Sequence, residues 1–214
     1  MSRIIDSGLE EISATLNRMG ELAYSAVSAA ITECTGEEQA YNEIKEISEA
    51  LVSMADHVED KAFELIARFQ PVASDLRTIK SYMKIAYDFA RFGRYALDMS
   101  YTNKKLGGIR NCEAWIILHV KDMGRKTLEM ISLGITSLRS HDWQLAEKVA
   151  KMENEIDKMY FDFFEKLIEK AHATTKCTVS SVLTVRYLER IADHATYVCE
   201  SIIYIATGRK AILR

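Results

Sequence analysis

Four acidic residues share a spacing that can do chemistry. Glu153 and Asp157 lie four apart, and Glu189 and Asp193 repeat that interval further along the chain. On an α-helix, residues four apart occupy one face, with Cβ atoms about 5–6 Å from each other. Two antiparallel helices with these faces opposed would gather four carboxylates. Each like-charge pair costs roughly a few tenths of a kcal/mol on an exposed helix, and more as water is excluded. A bound cation turns that cost into affinity. Oxygen-only donors suit magnesium, calcium, manganese or iron. Glu153, Asp157, Glu189 and Asp193 are therefore the candidate metal ligands. His194 follows directly but points about 100° around a helix from Asp193, which makes it a marginal addition. The plainer alternative is a solvated face. The chain has 31 acidic residues, and acids four apart are common on charged helices.

The first half of the chain holds a near-copy. Asp56 and Asp60 align with Glu153 and Asp157, but Ala90 and Arg94 stand where Glu189 and Asp193 stand. This is a degenerate half-site with two of four ligands lost. Its Arg94 is expected to neutralise Asp56 and Asp60 in place of a metal, or else to reach solvent. Glu169 and His172 form one Glu-x-x-His, whereas carboxylate-bridged di-iron bundles need two. His57, His119 and His141 show no partner at ligand spacing. The chain has no phosphate-cradling glycine loop, no G-x-S-x-G and no Cys–His pattern with local support.

The elements that must position these residues read as six helices. Apolar residues recur at steps of three and four from Ile5 to about Thr35, then over about 38–69 and 72–102. Gln70-Pro71 separates the second pattern from the third, with the proline suited to a first helical turn. Residues 103–110, with two glycines and two lysines, form the one clear linker. Three more helices follow over about 111–139, 142–171 and 175–206. Ser140-His141-Asp142 is placed to cap the fifth, and Gly208 to end the sixth.

The halves also match each other. Met19-Gly20 precedes Met123-Gly124 by 104 positions, Asp56–Lys61 precedes Glu153–Lys158 by 97, and Phe89–Ala96 precedes Leu188–Ala195 by 99. An internal duplication explains this. The fold class is all-α, as two tandem antiparallel three-helix bundles over residues 1–103 and 111–208, side by side or end to end.

Composition narrows the function classes. Hydrophobic residues make up 48% of the 214 and charged residues 28%, so the chain can bury a core. One proline and nine glycines argue against sandwiches and barrels. A net charge of −3 gives no sign of a nucleic-acid binder led by a basic surface, though acidity this mild excludes no partner. Cys34, Cys112, Cys177 and Cys199 form no C-x-x-C pair and read as reduced core residues. No apolar stretch approaches the length of a spanning helix, and the first residues lack a signal-peptide core, so the expectation is a soluble cytoplasmic protein. The aromatic run Tyr160, Phe161, Phe163 and Phe164 covers more than one helical face, as in a buried helix or a dimer surface.

Two motifs carry a resemblance. Gln70-Pro71-Val72-Ala73-Ser74-Asp75-Leu76-Arg77 is similar to the Gln-Pro-Val-Ala-x-Asp-Leu-Arg of the PhoU family of phosphate-uptake regulators. Leu188-Glu189-Arg190-Ile191-Ala192-Asp193-His194-Ala195 resembles that family's Leu-Glu-Arg-Ile-Gly-Asp-His-Ala, with Ala192 in place of glycine. Ile202-Ile203-Tyr204 with Gly208 adds a weaker likeness to the family's ending. The resemblance implies a pair of three-helix bundles and paired Glu/Asp-x-x-x-Asp motifs that bind metal clusters in some members. Those motifs fall on the residues singled out above, while Ala90 and Arg94 depart from them. It further implies a non-enzymatic cytoplasmic regulator, often a homodimer. Such a regulator works at the inner face of the membrane with a Pst-type phosphate ABC transporter, and in many bacteria with a membrane sensor kinase. The rival reading from the residues is a carboxylate-bridged metalloenzyme on a helical bundle.

Overall fold

The structure is a computed structural model and describes residues 4–36, 39–170 and 175–213. His172, and with it the Glu-x-x-His reading, lies outside the described residues. Six helices account for nearly all of the rest: α1 (Ile4–Thr35), α2 (Tyr41–Phe69), α3 (Ala73–Leu106), α4 (Ala114–Ser140), α5 (Trp143–Lys170) and α6 (Thr175–Thr207). No strand occurs among the described residues.

The helix ends follow local chemistry. Gln70, in the left-handed region at φ 46°, ends α2 and donates its backbone N–H to the Ile66 carbonyl. Pro71 sits just before α3 rather than in its first turn. Asp142 accepts from the Gln144 N–H at 3.0 Å and caps α5. Gly208, at φ 72°, ends α6 with a 3.0 Å bond to the Tyr204 carbonyl. The linker is shorter than the sequence implies. Asn103–Leu106 continue α3, because the helix stops only where Gly107, at φ 92°, closes it by donating to the Asn103 carbonyl at 2.8 Å.

The apolar periodicity becomes a core. Ile12, Leu16, Met19, Ile44, Leu51, Val58, Ile79, Phe89 and Phe92 are all buried. Phe63 and Leu76 belong to the same apolar series but stay exposed. Phe63 lies on α2, which packs chiefly on α1 and α3 and so buries a narrow stripe.

Helices α1, α2 and α3 form one bundle, and α4, α5 and α6 the other. The bundles lie side by side, joined where α1 meets α4 and α3 meets α6. Each joint therefore pairs a helix with its own duplicate. At the first joint, a Cβ on Gly20 would lie 2.9 Å from Ile135 Cγ1, and one on Gly124 would lie 3.1 Å from Ile31 Cδ1. Ile135 is the duplicate of Ile31, and Gly124 of Gly20, each 104 positions on. The contact is thus reciprocal, as in a two-fold interface.

At the second joint, His194 Nδ1 lies 2.8 Å from Asp88 Oδ1, and both residues are buried. The reciprocal positions, 99 residues away, are Tyr95 and Tyr187, whose rings stand 6.2 Å apart. Burial pushes the Asp88 carboxyl above its usual range, against the pull of His194 and Lys84.

One cysteine expectation is corrected. Cys112 and Cys177 form a disulfide, with Cα atoms 5.7 Å apart and 65 positions between them in sequence. Cys112 precedes α4 and Cys177 lies in the first turn of α6. The fold closes a sequence gap too long for any spacing rule to reveal. Cys34 and Cys199 are free and buried, as expected.

Three measurements test this architecture. Gly20→Val and Gly124→Val should each lower the unfolding free energy by about 1–3 kcal/mol in urea titrations, since each overpacks the joint. Breaking the disulfide by Cys112→Ser with Cys177→Ser should cost about 2–4 kcal/mol, from the larger entropy of the released chain. The Cys34 and Cys199 thiols, pushed up to about 12 by burial, should resist a thiol reagent until the protein unfolds.

Candidate functional site

The acidic residues of the second half lie where α5 packs on α6. Glu153 is 4% exposed and Asp193 6%, while Asp157 is half-buried. Glu189 keeps 13% of its side-chain exposure and receives a 2.8 Å bond from Arg186. Arg190 donates to Asp193 at 3.2 Å. The Glu189 carboxyl is held above its ordinary range. Burial is the main cause, and the nearby charges of Asp193 and Asp157 add to it; Arg186 and Arg190 pull the other way. So Asp157, Glu189 and Asp193 lie within electrostatic reach of one another across the α5–α6 contact. Glu153 lies one turn before Asp157.

This donor set fits a hard cation in its chemistry: buried oxygens of one charge, with Glu189 repelled by its neighbours. As placed, no three His, Cys, Asp or Glu side chains among the described residues are gathered tightly enough to hold an ion. Two arginines supply counter-charge instead. Both stand three residues before the acid they pair with, a spacing that is itself legible in the sequence.

The half-site differs. Asp56 and Asp60 are exposed on α2. Arg94 does not neutralise them, because its Nε lies 3.8 Å from Asp98 Oδ1, one turn along its own helix. A residue four away on the same helix is nearer than one across a groove. Asp56 and Arg94 line opposite sides of a groove of about 600 Å³ between α2 and α3, with Ala90 beside them. The bulk of Glu189 has no counterpart here, so the space stays open.

The histidines also find their places. His194 is committed to Asp88 rather than to the acidic cluster. His119 Nε2 lies 2.9 Å from the Met159 carbonyl, and burial lowers its pKa. His57 stands 4.0 Å from Glu11, and His141 is the left-handed cap of α4. The Asp88–His194 pair was not foreseen. An acid inside an apolar run was its only trace, and the partner is 106 positions away.

Comparison with known proteins fits this architecture. The PhoU domain model matches residues 16–102 and 120–202, one match in each three-helix half. The chain belongs to the PhoU family. It is 30% identical over 216 aligned residues to the phosphate-specific transport system accessory protein PhoU homolog of Clostridium acetobutylicum, covering 99% of this chain and 98% of that one. The homolog from Pseudomonas putida is 28% identical, with 97% of this chain and 82% of that one covered. The crystal structure of PhoU from Pseudomonas aeruginosa superposes with a TM-score of 0.87 at 25% identity, covering 95% of this chain and 99% of the other. The phosphate transport system regulatory protein PhoU of Streptococcus pneumoniae, at 22% identity and a TM-score of 0.74, shares the fold.

The raised Glu189 carboxyl generates a pH test. A carboxyl whose folded-state pKa exceeds its unfolded value, about 4.3, stabilises the fold fully below that value. It loses that contribution as pH rises through the folded value. Glu189→Gln cannot ionise and should therefore gain on the wild type in urea midpoint between about pH 4 and pH 7.5. A stability difference that stays flat across that range would show that Glu189 is fully compensated by Arg186 and Arg190.

Proposed function

We propose that this PhoU-family protein is a non-enzymatic negative regulator of phosphate uptake. It acts at the cytoplasmic face of the membrane by contact with a Pst-type phosphate ABC transporter, and where one is present with a membrane sensor kinase. The observation that carries this reading is the extent of the family match. Both halves match the PhoU domain, and a relative named as an accessory protein of phosphate-specific transport aligns over nearly the whole of both chains. No helix among the described residues is long and apolar enough to cross a membrane, so the reading makes the protein a partner of the transporter rather than part of its pore.

In this reading Glu153, Asp157, Glu189 and Asp193 hold a metal cation: iron, manganese, magnesium or calcium. The ion would neutralise carboxylates that now repel, and so brace α5 against α6. Arg186 and Arg190 already pair with Glu189 and Asp193 along α6. They offset part of the cluster's charge, and the ion would offset the rest. Homodimer formation belongs to the same reading, and Phe161 and Ile168, exposed and seven apart on α5, offer an apolar stripe for a second copy.

The test uses the purified protein and its own phosphate transporter in nanodiscs, with manganese or magnesium present. The wild type should bind the transporter and slow phosphate uptake in reconstituted vesicles. Glu189→Ala with Asp193→Ala should lose bound metal by elemental analysis and weaken transporter binding by about tenfold or more, as expected when a buried charged cluster is dismantled. Unchanged uptake with the wild type would refute the regulatory reading. Unchanged metal content in the double variant would refute the ligand assignment.

A further inference from the structure

Helix α3 carries a pattern that the acidic site does not use. Arg77, Lys80, Lys84, Tyr87, Arg91 and Arg94 recur at alternating steps of three and four. They form one stripe along the helix, about 25 Å long. Lys80, Lys84, Tyr87 and Arg94 are exposed, with Tyr87 at 58%. Arg77 and Arg91 are half-buried and lie over the rings of Tyr204 and Tyr95. In a chain of net charge −3, five cations and a tyrosine thus line a single face.

These charges are loosely held. Lys84 stands 4.0 Å from Glu200, and Arg94 stands 3.8 Å from Asp98. The duplicate stripe on α6 reads Lys176, Val179, Leu183, Arg186, Arg190 and Asp193. There the two arginines are paired at 2.8 and 3.2 Å. Duplication alone therefore does not account for the α3 stripe.

The stripe also borders a concavity. The groove of about 600 Å³ between α2 and α3 has Val52, Met83 and Tyr87 as apolar lining, and Lys84, Arg91 and Arg94 along its α3 wall. It exists because Ala90 replaces the bulk that Glu189 supplies in the other half. A concave strip with an apolar floor and one cationic wall matches an amphipathic helix better than a flat bilayer. Acids at three- and four-residue steps on such a helix would meet the α3 cations in register. Asp56 and Glu59 on the α2 side of the groove repel acids there and so fix which edge of the helix faces α3.

We propose that the α2–α3 groove is a docking site for an acidic amphipathic helix of a partner protein. This rests on the reading that the protein acts by contact, and it names the surface and the chemistry of the contact.

The experiment pans a displayed library of helical peptides against the full-length wild-type chain. Selected peptides should carry Asp or Glu along one edge and an apolar residue beside it. Their affinity should fall about tenfold or more in Lys84→Glu with Arg94→Glu, and similarly between about 50 and 300 mM salt. Both residues are exposed, and an unchanged circular dichroism melt would confirm that the variant is folded. Tyr87→Ala, which leaves every charge in place, should weaken binding and keep its salt dependence. Replacing the peptide acids by lysine should restore binding to the charge-reversed variant.

The proposal is overturned if the selected peptides are not acidic on one edge, or if they bind the reversed variant equally. It is also overturned if the stripe mediates binding to vesicles containing phosphatidylglycerol, or self-association, in place of the peptide. Because no transporter is present, failure here leaves the regulatory reading standing. Failure of transporter binding by the wild type overturns that reading whatever the peptides do.

Discussion

Gly20 and Gly124 leave bare backbone where Ile135 and Ile31 seat. This close approach of α1 to α4, with the more extensive α3–α6 contact, sets how the two bundles meet. With the first helices of the two bundles locked together, α3 and α6 are brought face to face, and α2 and α5 are left on the flanks. Asp157 of α5 comes within electrostatic reach of Glu189 on α6, and the α2–α3 groove opens at the corresponding place in the other half. A side chain at either glycine would push the bundles apart and disturb both sites through their shared frame.

Within that frame the two halves solve one electrostatic problem differently. In the second half, Glu153, Asp157, Glu189 and Asp193 concentrate negative charge beneath partial cover, and Arg186 and Arg190 offset it. In the first half, Ala90 removes one acid and Arg94 replaces another. The change does more than delete a ligand set. Shortening one side chain vacates space, and adding a guanidinium reverses the sign of the wall. The family likeness thus covers the whole chain, while the chemistry exposed by each half is its own.

Much of this was legible before any coordinates. The six helices, their duplication and the core positions of α1 and α3 follow from apolar spacing, and the caps at Asp142 and Gly208 follow from residue type. The paired acids are legible as a four-residue spacing, and their counter-ions Arg186 and Arg190 as a three-residue one. What stayed hidden depends on contacts across long stretches of chain. The Cys112–Cys177 bond and the Asp88–His194 pair join residues whose separation carries no periodic signal. Of the two expectations for Arg94, the structure favours the solvent-facing one, because Asp98, a nearer acid on the same helix, competes with Asp56 and Asp60. The end of α3 was misplaced because Asn103–Leu106 have the composition of a linker, yet nothing before Gly107 breaks the helix.

The hydrogen-bonded Asp88 and His194 at the α3–α6 joint, and the tilted Tyr187 and Tyr95 at the duplicate positions, make the molecule unlike itself when turned half a revolution. A body assembled from two copies of one module would otherwise present the same keyway at either end. Here the joint itself is asymmetric, so the two halves are chemically distinguishable where they meet.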